Sequence, residues 1–315
     1  MRDLRILFMG TPDFAVATLK TIIESNYNVV GVITAPDRPA GRGRKLRASA
    51  VKEYAMSQNL TILQPTNLKD EKFIEELKAL EANLNIVVAF RMLPKVVWDM
   101  PEYGTFNLHA SLLPDYRGAA PINWAIINGE QKTGITTFFI DEKIDTGHII
   151  LQKEISIEDK YTAGILHDKL MIEGATLVID TIKAIENETV TTTEQPKEGE
   201  LKTAYKLNRE NTKINWLDSI HNIYNLIRGL TPYPTAWCLL HNKGEEVAIK
   251  IYNATMEKEE HNFDIGKIIV EGSLVKVAVE KGYLILNKIQ LPGKKAMDTA
   301  ALLNGYTFYK DAKMA

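Results

Sequence analysis

Two hydrophobic periods alternate along the first 186 residues, one typical of buried strands and the other of helices. Short apolar runs predict strands at residues 4–9, 28–34, 61–64, 85–89, 106–110, 133–140 and 149–157. Amphipathic stretches predict helices after Thr11 and Pro12, with Thr11 as the N-cap, and at residues 49–58, 70–80, 122–128 and 162–186. Strands that alternate with helices in this way predict a doubly wound, mostly parallel α/β sheet with a Rossmann-like topology.

The pattern changes after residue 186. Residues 187–207 are polar and include three consecutive threonines at positions 191–193, which is typical of a linker. A helix near residues 216–228 follows, and then closely spaced strands at 237–241, 246–253, 267–270, 275–279 and 283–291. Such strands predict a small, OB-like β-barrel. We therefore expect an α/β domain at residues 1–187, a linker at 188–207 and a β-barrel domain at 208–315.

Composition narrows the class of protein without defining its activity. The chain has 315 residues, of which 45% are hydrophobic, and its net charge of −2 provides no general attraction to nucleic acid. The single cysteine, Cys238, excludes an intrachain disulfide and fits a reducing compartment. The first apolar run is too short for a signal peptide, and no run is long enough to span a membrane. A cytoplasmic protein is expected.

Positive charge is concentrated in residues 36–47, which contain five basic residues and only one acidic residue, Asp37. Two glycines and two prolines predict a loop here. Arginines interleaved with glycines suit contacts with phosphate or RNA, although a solvated surface is the simpler interpretation. A second, weaker basic feature is the pair Lys294 and Lys295 after a Pro-Gly dipeptide.

The stretch at residues 106–121 carries the strongest chemical signal. Asn107 and His109 are two residues apart on a predicted strand, so their side chains point to the same face. A carboxamide can donate to a developing oxyanion and an imidazole can transfer a proton near neutral pH, which together suit carbonyl chemistry. Each residue taken alone is more simply a hydrogen-bonded structural residue of the strand.

Two further features limit the chemistry. Gly10 stands alone after the first strand, so the glycine fingerprint of a dinucleotide site is absent. A loop after the strand at 133–140 carries two candidate carboxylates, Asp141 and Asp145, either of which also suits an ordinary turn. The six histidines are scattered, and no metal site is expected.

Asn107-x-His109, with the Ser-Leu-Leu-Pro run that begins at Ser111 and with Arg117-Gly118, resembles the signature of the formyltetrahydrofolate-dependent formyltransferases. Asp145-Thr146-Gly147 resembles the second signature of that family. The resemblance implies that 10-formyltetrahydrofolate is the formyl donor and that the catalytic residues are Asn107, His109 and Asp145. It favours Asp145 over Asp141.

The resemblance also implies a folate site. Its residues would be Phe90, Arg91, Leu93, Ser111, Leu112, Leu113 and Pro114. The chain departs from the pattern at Phe90-Arg91, where Tyr-Gly is common, and at Asp115, where a basic residue is common. The first departure affects side-chain contacts to folate, and the second affects contacts to RNA.

Within the family, the basic segment and the C-terminal features resemble the branch that formylates methionyl initiator tRNA. The implied tRNA-binding residues are Arg38, Arg42, Arg44, Lys45, Lys294 and Lys295. One alternative is a folate-dependent formyltransferase that acts on a sugar nucleotide or a ribonucleotide. Another is a non-enzymatic RNA-binding protein. Neither DNA nor a membrane is expected as a partner, and the chain is taken as a monomer.

Overall fold

The computed structural model describes residues 1–40, 45–196 and 201–315. The first ten strands are β1 (Arg5–Gly10), β2 (Asn28–Ile33), β3 (Arg38–Ala40), β4 (Lys45–Arg47), β5 (Ile62–Leu63), β6 (Leu84–Val88), β7 (Thr105–His109), β8 (Arg117–Gly118), β9 (Lys132–Phe139) and β10 (Ile149–Ser156). The helices among and after them are α1 (Asp13–Glu24), α2 (Ala50–Ser57), α3 (Glu71–Ala79), α4 (Lys95–Trp98), α5 (Pro121–Ile127) and α6 (Ala163–Glu186).

Seven of these strands form one sheet in the order β10-β9-β7-β6-β1-β2-β5. Strand β1 runs parallel to β2 and β6, β6 runs parallel to β7, and β2 runs parallel to β5. The sheet departs from this direction on the β9 side, because β7 and β9 pair antiparallel. The prediction of a mostly parallel, Rossmann-like sheet is confirmed.

The order of the strands reverses between β1 and β6. From β1 the chain moves outward through β2 to β5, then returns to the other side of β1 and continues outward through β6 and β7. In open α/β sheets, ligands bind at such a reversal, outside the carboxyl ends of the strands. Here β1 ends at Gly10 and β6 ends at Val88, so the residues that follow them form this edge.

Gly10 is required for packing at this edge. A Cβ atom at this position would lie 2.6 Å from the Cβ of Ala15 in α1 and 3.1 Å from the backbone oxygen of Val88. The glycine therefore lets α1 pack closely against β1. This packing explains why a glycine stands here although the dinucleotide fingerprint is absent. The predicted N-cap at Thr11 is wrong, because the cap residue is Pro12, in extended conformation and without a side-chain cap bond.

The interior beside the sheet is built from the strand and helix faces that the apolar pattern predicts. The buried side chains Leu7 and Met9 of β1 cluster with Phe73 and Leu77 of α3. Helix α3 begins after Asp70, whose Oδ1 atom accepts a 3.1 Å hydrogen bond from the backbone amide of Phe73. These contacts fix the central strands, and with them the carboxyl edge of the sheet.

The basic segment at residues 36–47 is not simply the predicted loop. Its ends pair as an antiparallel hairpin in which Arg38 faces Arg47 and Pro39 faces Leu46. A two-stranded ribbon tolerates Pro39 because a proline at an edge need not donate a ladder hydrogen bond. Arg42 and Arg44 lie outside the described residues.

Of the later strands, β11 (Thr203–Ala204) pairs with β8, and the others form a second sheet. The strands of that sheet are β12 (Ala236–Asn242), β13 (Glu245–Glu257), β14 (Ile268–Glu271), β15 (Leu274–Val279), β16 (Gly282–Gln290), β17 (Met297–Asp298) and β18 (Lys313–Met314), and the helices of this part are α7 (Ile220–Gly229) and α8 (Thr299–Leu302). The antiparallel order is β14-β15-β16-β13-β12-β18, and β17 pairs with β16. The amide of Met314 donates a 2.8 Å hydrogen bond to the oxygen of Gly266, which links the two ends of the sheet. The predicted barrel is confirmed.

The contacts divide the chain into two compact units that are not continuous in sequence. The first unit comprises Met1–Gly118, Thr133–Ser156 and His167–Thr203, and the second comprises Ala119–Lys132, Ile157–Leu166 and Ala204–Ala315. The domain limits at residues 187 and 208 stay a prediction. None of the described helices combines the length and the apolar character needed to cross a membrane.

Part of the segment predicted as a linker is fixed to the first unit. Thr193 and Ile149 exchange two backbone hydrogen bonds of 2.8 and 2.9 Å at the edge of β10. Gln195 is buried. A polar composition made this segment resemble a free linker, but Thr193 and Gln195 are hydrogen-bonded within the first unit.

Candidate active site

Strand β7 places Asn107 and His109 on one face of the sheet. The strand lies between β6 and β9, with Asn107 opposite Val87 on one side and Phe138 on the other. His109 is buried, and Asn107 is half-buried. Apolar neighbours of β7 hold its backbone in the interior, so the two polar side chains emerge from a rigid strand.

A backbone carbonyl defines the orientation of the His109 ring. Nε2 of His109 lies 2.8 Å from the backbone oxygen of Tyr116. Because a carbonyl oxygen can only accept, Nε2 is the nitrogen that carries the hydrogen and donates. Nδ1 faces the other way, 3.8 Å from Oδ2 of Asp145. In the neutral ring, Nδ1 is therefore the atom that can accept a proton.

Asp145 is held with its carboxylate toward the imidazole. The backbone amide of Gly118 donates a 2.9 Å hydrogen bond to Oδ2 of Asp145. Asp145 has a φ of 56°, in the left-handed region that aspartate tolerates better than most non-glycine residues. Its side chain is 16% exposed, so its charge is only partly screened by water.

The rival carboxylate, Asp141, has a different use. Its Oδ1 atom accepts a 2.7 Å hydrogen bond from the Thr146 hydroxyl and a 2.9 Å bond from the Lys143 amide. These bonds close the loop on itself. The geometry therefore separates the two aspartates, since Asp141 closes the loop and Asp145 faces His109.

Gly147 ends this loop in a position that admits no side chain. A Cβ atom there would lie 1.7 Å from the backbone oxygen of Phe139. The chain can return to β10 beside the end of β9 only because the residue is glycine.

The turn at residues 111–114 is tied to the neighbouring strands. The Ser111 hydroxyl donates to the oxygen of Asp115 at 2.7 Å. The backbone amide of Leu113 donates to Oγ1 of Thr136 at 3.2 Å, and its oxygen accepts from Nε2 of Gln152 at 2.8 Å. The Ser111 hydroxyl hydrogen and the Leu113 amide hydrogen are therefore already used within this part of the site. Pro114 follows in a cis peptide bond.

The segment after β6 contributes the predicted folate residues Phe90, Arg91 and Leu93. Leu93 belongs to the buried cluster, and the half-buried Phe90 packs against it. The Arg91 guanidinium donates to the backbone oxygens of Thr66, at 2.9 Å, and Pro65. Partial burial, together with the charge of Arg38, lowers the pKa of Arg91 below its ordinary value. Arg91 therefore fastens this strand end to the loop after β5.

The remaining predicted residues lie in both units. Arg38 is exposed on β3, and the backbone of Lys45 belongs to β4. Lys294 and Lys295 are exposed in the second unit, where Nε2 of Gln290 donates to the oxygen of Lys294 at 2.7 Å. The structure brings Asn107, His109 and Asp145 to one place at the end of β7.

Sequence reasoning missed four contributors to this site. Two are backbone groups, the carbonyl of Tyr116 and the amide of Gly118, and a backbone group has no signature in its side chain. The others are the side chains of Arg117 and Gln195, which hydrogen-bond each other. Arg117 belonged to a recognised motif but had no assigned role, and nothing distinguishes Gln195 within a polar stretch.

No group of three or more His, Cys, Asp or Glu side chains in the described ranges is placed to hold a metal ion.

Two family models cover most of the chain. The model described as formyl transferase matches residues 4–193, and the model of its C-terminal domain matches residues 206–307. The chain belongs to the formyltransferase family. The resemblance found in the sequence motifs is confirmed.

Curated relatives extend over the full length. A methionyl-tRNA formyltransferase from Flavobacterium johnsoniae is 64% identical over 314 residues, covering 100% of both chains. One from Bacteroides thetaiotaomicron is 51% identical, covering 99% of this chain and 98% of the relative. An N-formyltransferase structure from Helicobacter canadensis, in complex with folinic acid and dTDP-3-aminofucose, has a TM-score of 0.64 at 21% identity, covering 90% of this chain and 98% of that one. That structure is evidence for the fold alone.

Proposed function

We propose that this chain transfers the formyl group of 10-formyltetrahydrofolate to the amino group of methionyl initiator tRNA. The observation that carries the reaction class is the convergence of Asn107, His109 and Asp145 at the end of β7. The acceptor is inferred from the full-length relatives, which are methionyl-tRNA formyltransferases at up to 64% identity. The product would be the N-formylmethionyl-tRNA that initiates translation.

The neutral methionyl amine attacks the formyl carbon and forms a tetrahedral intermediate. A new nitrogen–carbon bond forms while the carbonyl π electrons move to oxygen. The bond between the carbon and N10 then breaks, N10 gains a proton, and the amine nitrogen loses one. The reaction therefore needs a donor to the oxyanion and a group that moves one proton between two nitrogens.

The side chains of the site fit these two needs. The Asn107 carboxamide has an N–H₂ group that can donate to the oxyanion, and it emerges on the same face as His109. Nδ1 of His109 can exchange the proton, because Nε2 is held by the carbonyl of Tyr116. The Asp145 carboxylate, 3.8 Å from Nδ1, stabilises the charged imidazolium when the proton is on the ring.

The folate is proposed to bind at the carboxyl edge of the sheet, between residues 89–93 and 111–114. The turn is held rigidly by Thr136 and Gln152, and a rigid loop suits recognition of a flat heterocycle with several donors and acceptors. Since the backbone amide of Leu113 already donates to Thr136, donation to the pterin ring falls to other groups of these two segments.

The tRNA is proposed to bind through the basic segment of the first unit and through the second unit. With a net charge of −2, attraction to RNA has to come from local patches such as residues 36–47. In the sequence, glycines 41 and 43 flank Arg42, which makes Arg42 the strongest candidate for the contact nearest the reacting end. Lys294 and Lys295 are candidates farther along the tRNA.

A cytoplasmic monomer is proposed, without DNA or a membrane as partner. The cytoplasm is where tRNA is charged and translation begins. The single, buried cysteine also fits a reducing compartment.

Two alternative functions can be distinguished from the proposed one by experiment. A formyltransferase for nucleotide-linked amines would use the same site, and the Helicobacter canadensis structure has such a ligand, but at 21% identity it supports no choice of acceptor. A non-enzymatic RNA-binding protein would leave the convergence of Asn107, His109 and Asp145 unexplained.

The decisive test of the acceptor offers the purified protein 10-formyltetrahydrofolate with methionyl initiator tRNA, methionyl elongator tRNA or an amino-sugar nucleotide. We expect formylation of the initiator tRNA, and competition by uncharged initiator tRNA but not by nucleotide. Turnover of the amino-sugar nucleotide alone would refute the proposed acceptor. Absence of folate binding in isothermal titration would refute the enzyme.

A further inference from the structure

Gln195 lies in the polar segment that the sequence assigned to a linker, yet only 3% of it is exposed. Its Nε2 group donates to the backbone oxygens of Asp145, at 3.0 Å, and Gly147, at 2.7 Å. Its Oε1 atom accepts from Nε and Nη2 of Arg117 at 3.1 and 2.6 Å. The whole amide is thus engaged with the loop that carries Asp145 and with the residue that precedes Gly118.

The orientation of this amide follows from its partners. Two backbone carbonyls can only accept, so the N–H₂ group has to face them, and a guanidinium can only donate, so the oxygen has to face Arg117. Rotating the amide by half a turn would place oxygen against two oxygens and N–H against N–H. Arg117 therefore keeps the donors of Gln195 directed at the loop.

The loop needs such support because of its backbone conformation. The φ of 56° at Asp145 is sparsely populated for a residue with a side chain, and such conformations persist where the surroundings hold them. By binding the carbonyls of residues 145 and 147, the Gln195 amide fixes the peptide group that follows Asp145 and the one that follows Gly147. The direction of the Asp145 side chain is fixed with them.

Four residues complete a closed ring of hydrogen bonds. Arg117 holds Gln195, Gln195 holds the backbone of Asp145, and the amide of Gly118 holds the carboxylate of Asp145. Since Arg117 and Gly118 are adjacent in β8, the ring returns to where it begins. The Asp145 carboxylate is therefore placed from its backbone side and from its oxygen side at the same time.

We propose that Gln195 is a positioning residue for the Asp145 carboxylate and that Arg117 sets the orientation of its amide. The proposal rests on the proposed role of Asp145 in formyl transfer. One of its tests therefore measures the position of the carboxylate and does not depend on enzymatic activity. A purely structural role, as an anchor of residues 193–196, is the competing explanation. The backbone bonds between Thr193 and Ile149 already anchor that segment without Gln195.

The first test is an NMR measurement of the Gly118 amide, which reports on the position of the carboxylate. Gln195→Glu keeps the size and the contact to Arg117 but loses both donors to the loop. Thr192→Ala, at an exposed position of the same segment, is the matched control. We expect the Gly118 amide proton, shifted downfield by its bond to a carboxylate, to move upfield in Gln195→Glu and in Asp145→Asn, but to stay in place in Thr192→Ala.

An unchanged Gly118 resonance in Gln195→Glu would overturn the proposal, whether or not the chain transfers formyl groups. If Gln195→Glu does not fold, Gln195→Met serves instead, because it removes the same donors without adding charge. The same resonance criterion then decides the proposal.

The second test is a double-mutant cycle on kcat. Gln195→Glu should lower kcat by about 10- to 100-fold, as expected for a misplaced catalytic group, with the KM values for folate and tRNA within about twofold of the parent. In the Asp145→Asn background the same change should cost less than about threefold, because the residue acts through Asp145. If Gln195→Glu lowers kcat by the same factor in the Asp145→Asn background as in the parent, Gln195 acts independently of Asp145 and the proposal is overturned.

Discussion

The backbone amide of Gly118 donates its 2.9 Å hydrogen bond to Oδ2 of Asp145, the same carboxylate oxygen that faces Nδ1 of His109 at 3.8 Å. A neutral amide orients the carboxylate without neutralising its charge. The separation from Nδ1 is too long for a direct hydrogen bond, so Asp145 acts on the ring by its charge. The imidazole is oriented instead by the carbonyl of Tyr116.

The loop that carries Asp145 should be sensitive to a single methyl group. The Cβ of Gly147→Ala would lie 1.7 Å from the backbone oxygen of Phe139, so the loop has to move. We expect a loss of about 1–3 kcal/mol in the free energy of unfolding. We also expect kcat to fall, because the loop carries Asp145. Gly305→Ala is the matched control, because a Cβ there has nothing within 4 Å. Parent-like activity in Gly147→Ala would contradict this account of the loop.

The predicted folate pocket is tested at Leu112. Its side chain packs over β9, where a Cβ at Gly134 would lie 2.4 Å from Cδ2 of Leu112. Leu112→Trp should weaken binding of a folate analogue by at least about tenfold, equivalent to about 1.4 kcal/mol, and leave tRNA affinity unchanged. Isothermal titration with each ligand measures both. The exposed Leu217 supplies the control Leu217→Trp. Equal loss of both ligands in Leu112→Trp would indicate misfolding instead of a pocket.

The basic segment is tested at Arg42. A guanidinium that reads a base edge is worth about 1–3 kcal/mol, so Arg42→Leu should lower kcat/KM for charged tRNA by roughly ten- to a hundredfold. Folate affinity should not change, and the dependence of tRNA use on salt should become shallower if the contact is to phosphate. Lys72→Leu removes an exposed charge of α3 as a control. Parent rates in Arg42→Leu and in an Arg44/Lys45 double variant at low salt would refute this assignment.

The barrel interior is tested through its thiol. Burial raises the pKa of Cys238 to about 12, and the thiolate is the form that reacts with iodoacetamide. In the unfolded chain the thiol has a pKa of about 8.5, so the free energy of unfolding should decline as the pH rises above that value toward about 12. Mass spectrometry at a pH of about 8 should show no alkylation of the native protein and complete alkylation in guanidinium. Rapid alkylation of the native protein would contradict the buried position.

Much of the architecture follows from local patterns. The strands of the sheet and the barrel, and the start of α3 near residue 70, agree with the apolar periods because burial on one face dictates those periods. Asn107 and His109 are recognisable because strand geometry places residues two apart on the same face. In these cases a residue and the partner that explains it are close in sequence.

The rest depends on contacts between distant parts of the chain. Gln195 meets the loop of Asp145 from 50 positions away, and no local pattern marks a glutamine for burial. The pairing of Arg38 with Arg47 is also invisible in a segment whose glycines and prolines suggest a loop. Thr11 is a residue type that often caps helices, but Pro12 adopts the extended conformation of the cap, so the helix begins one residue later than predicted.

The most direct test of the central claim is the single-turnover rate of formyl transfer to methionyl initiator tRNA in Asp145→Asn and Asp141→Asn. Asp145→Asn should lose a factor of about 10² or more, with near-normal affinity for tRNA, because it removes the charge that faces His109. Asp141→Asn should lose less than about tenfold, because its carboxylate only accepts bonds from Thr146 and Lys143. Full activity of Asp145→Asn together with an inactive Asp141→Asn would contradict the account.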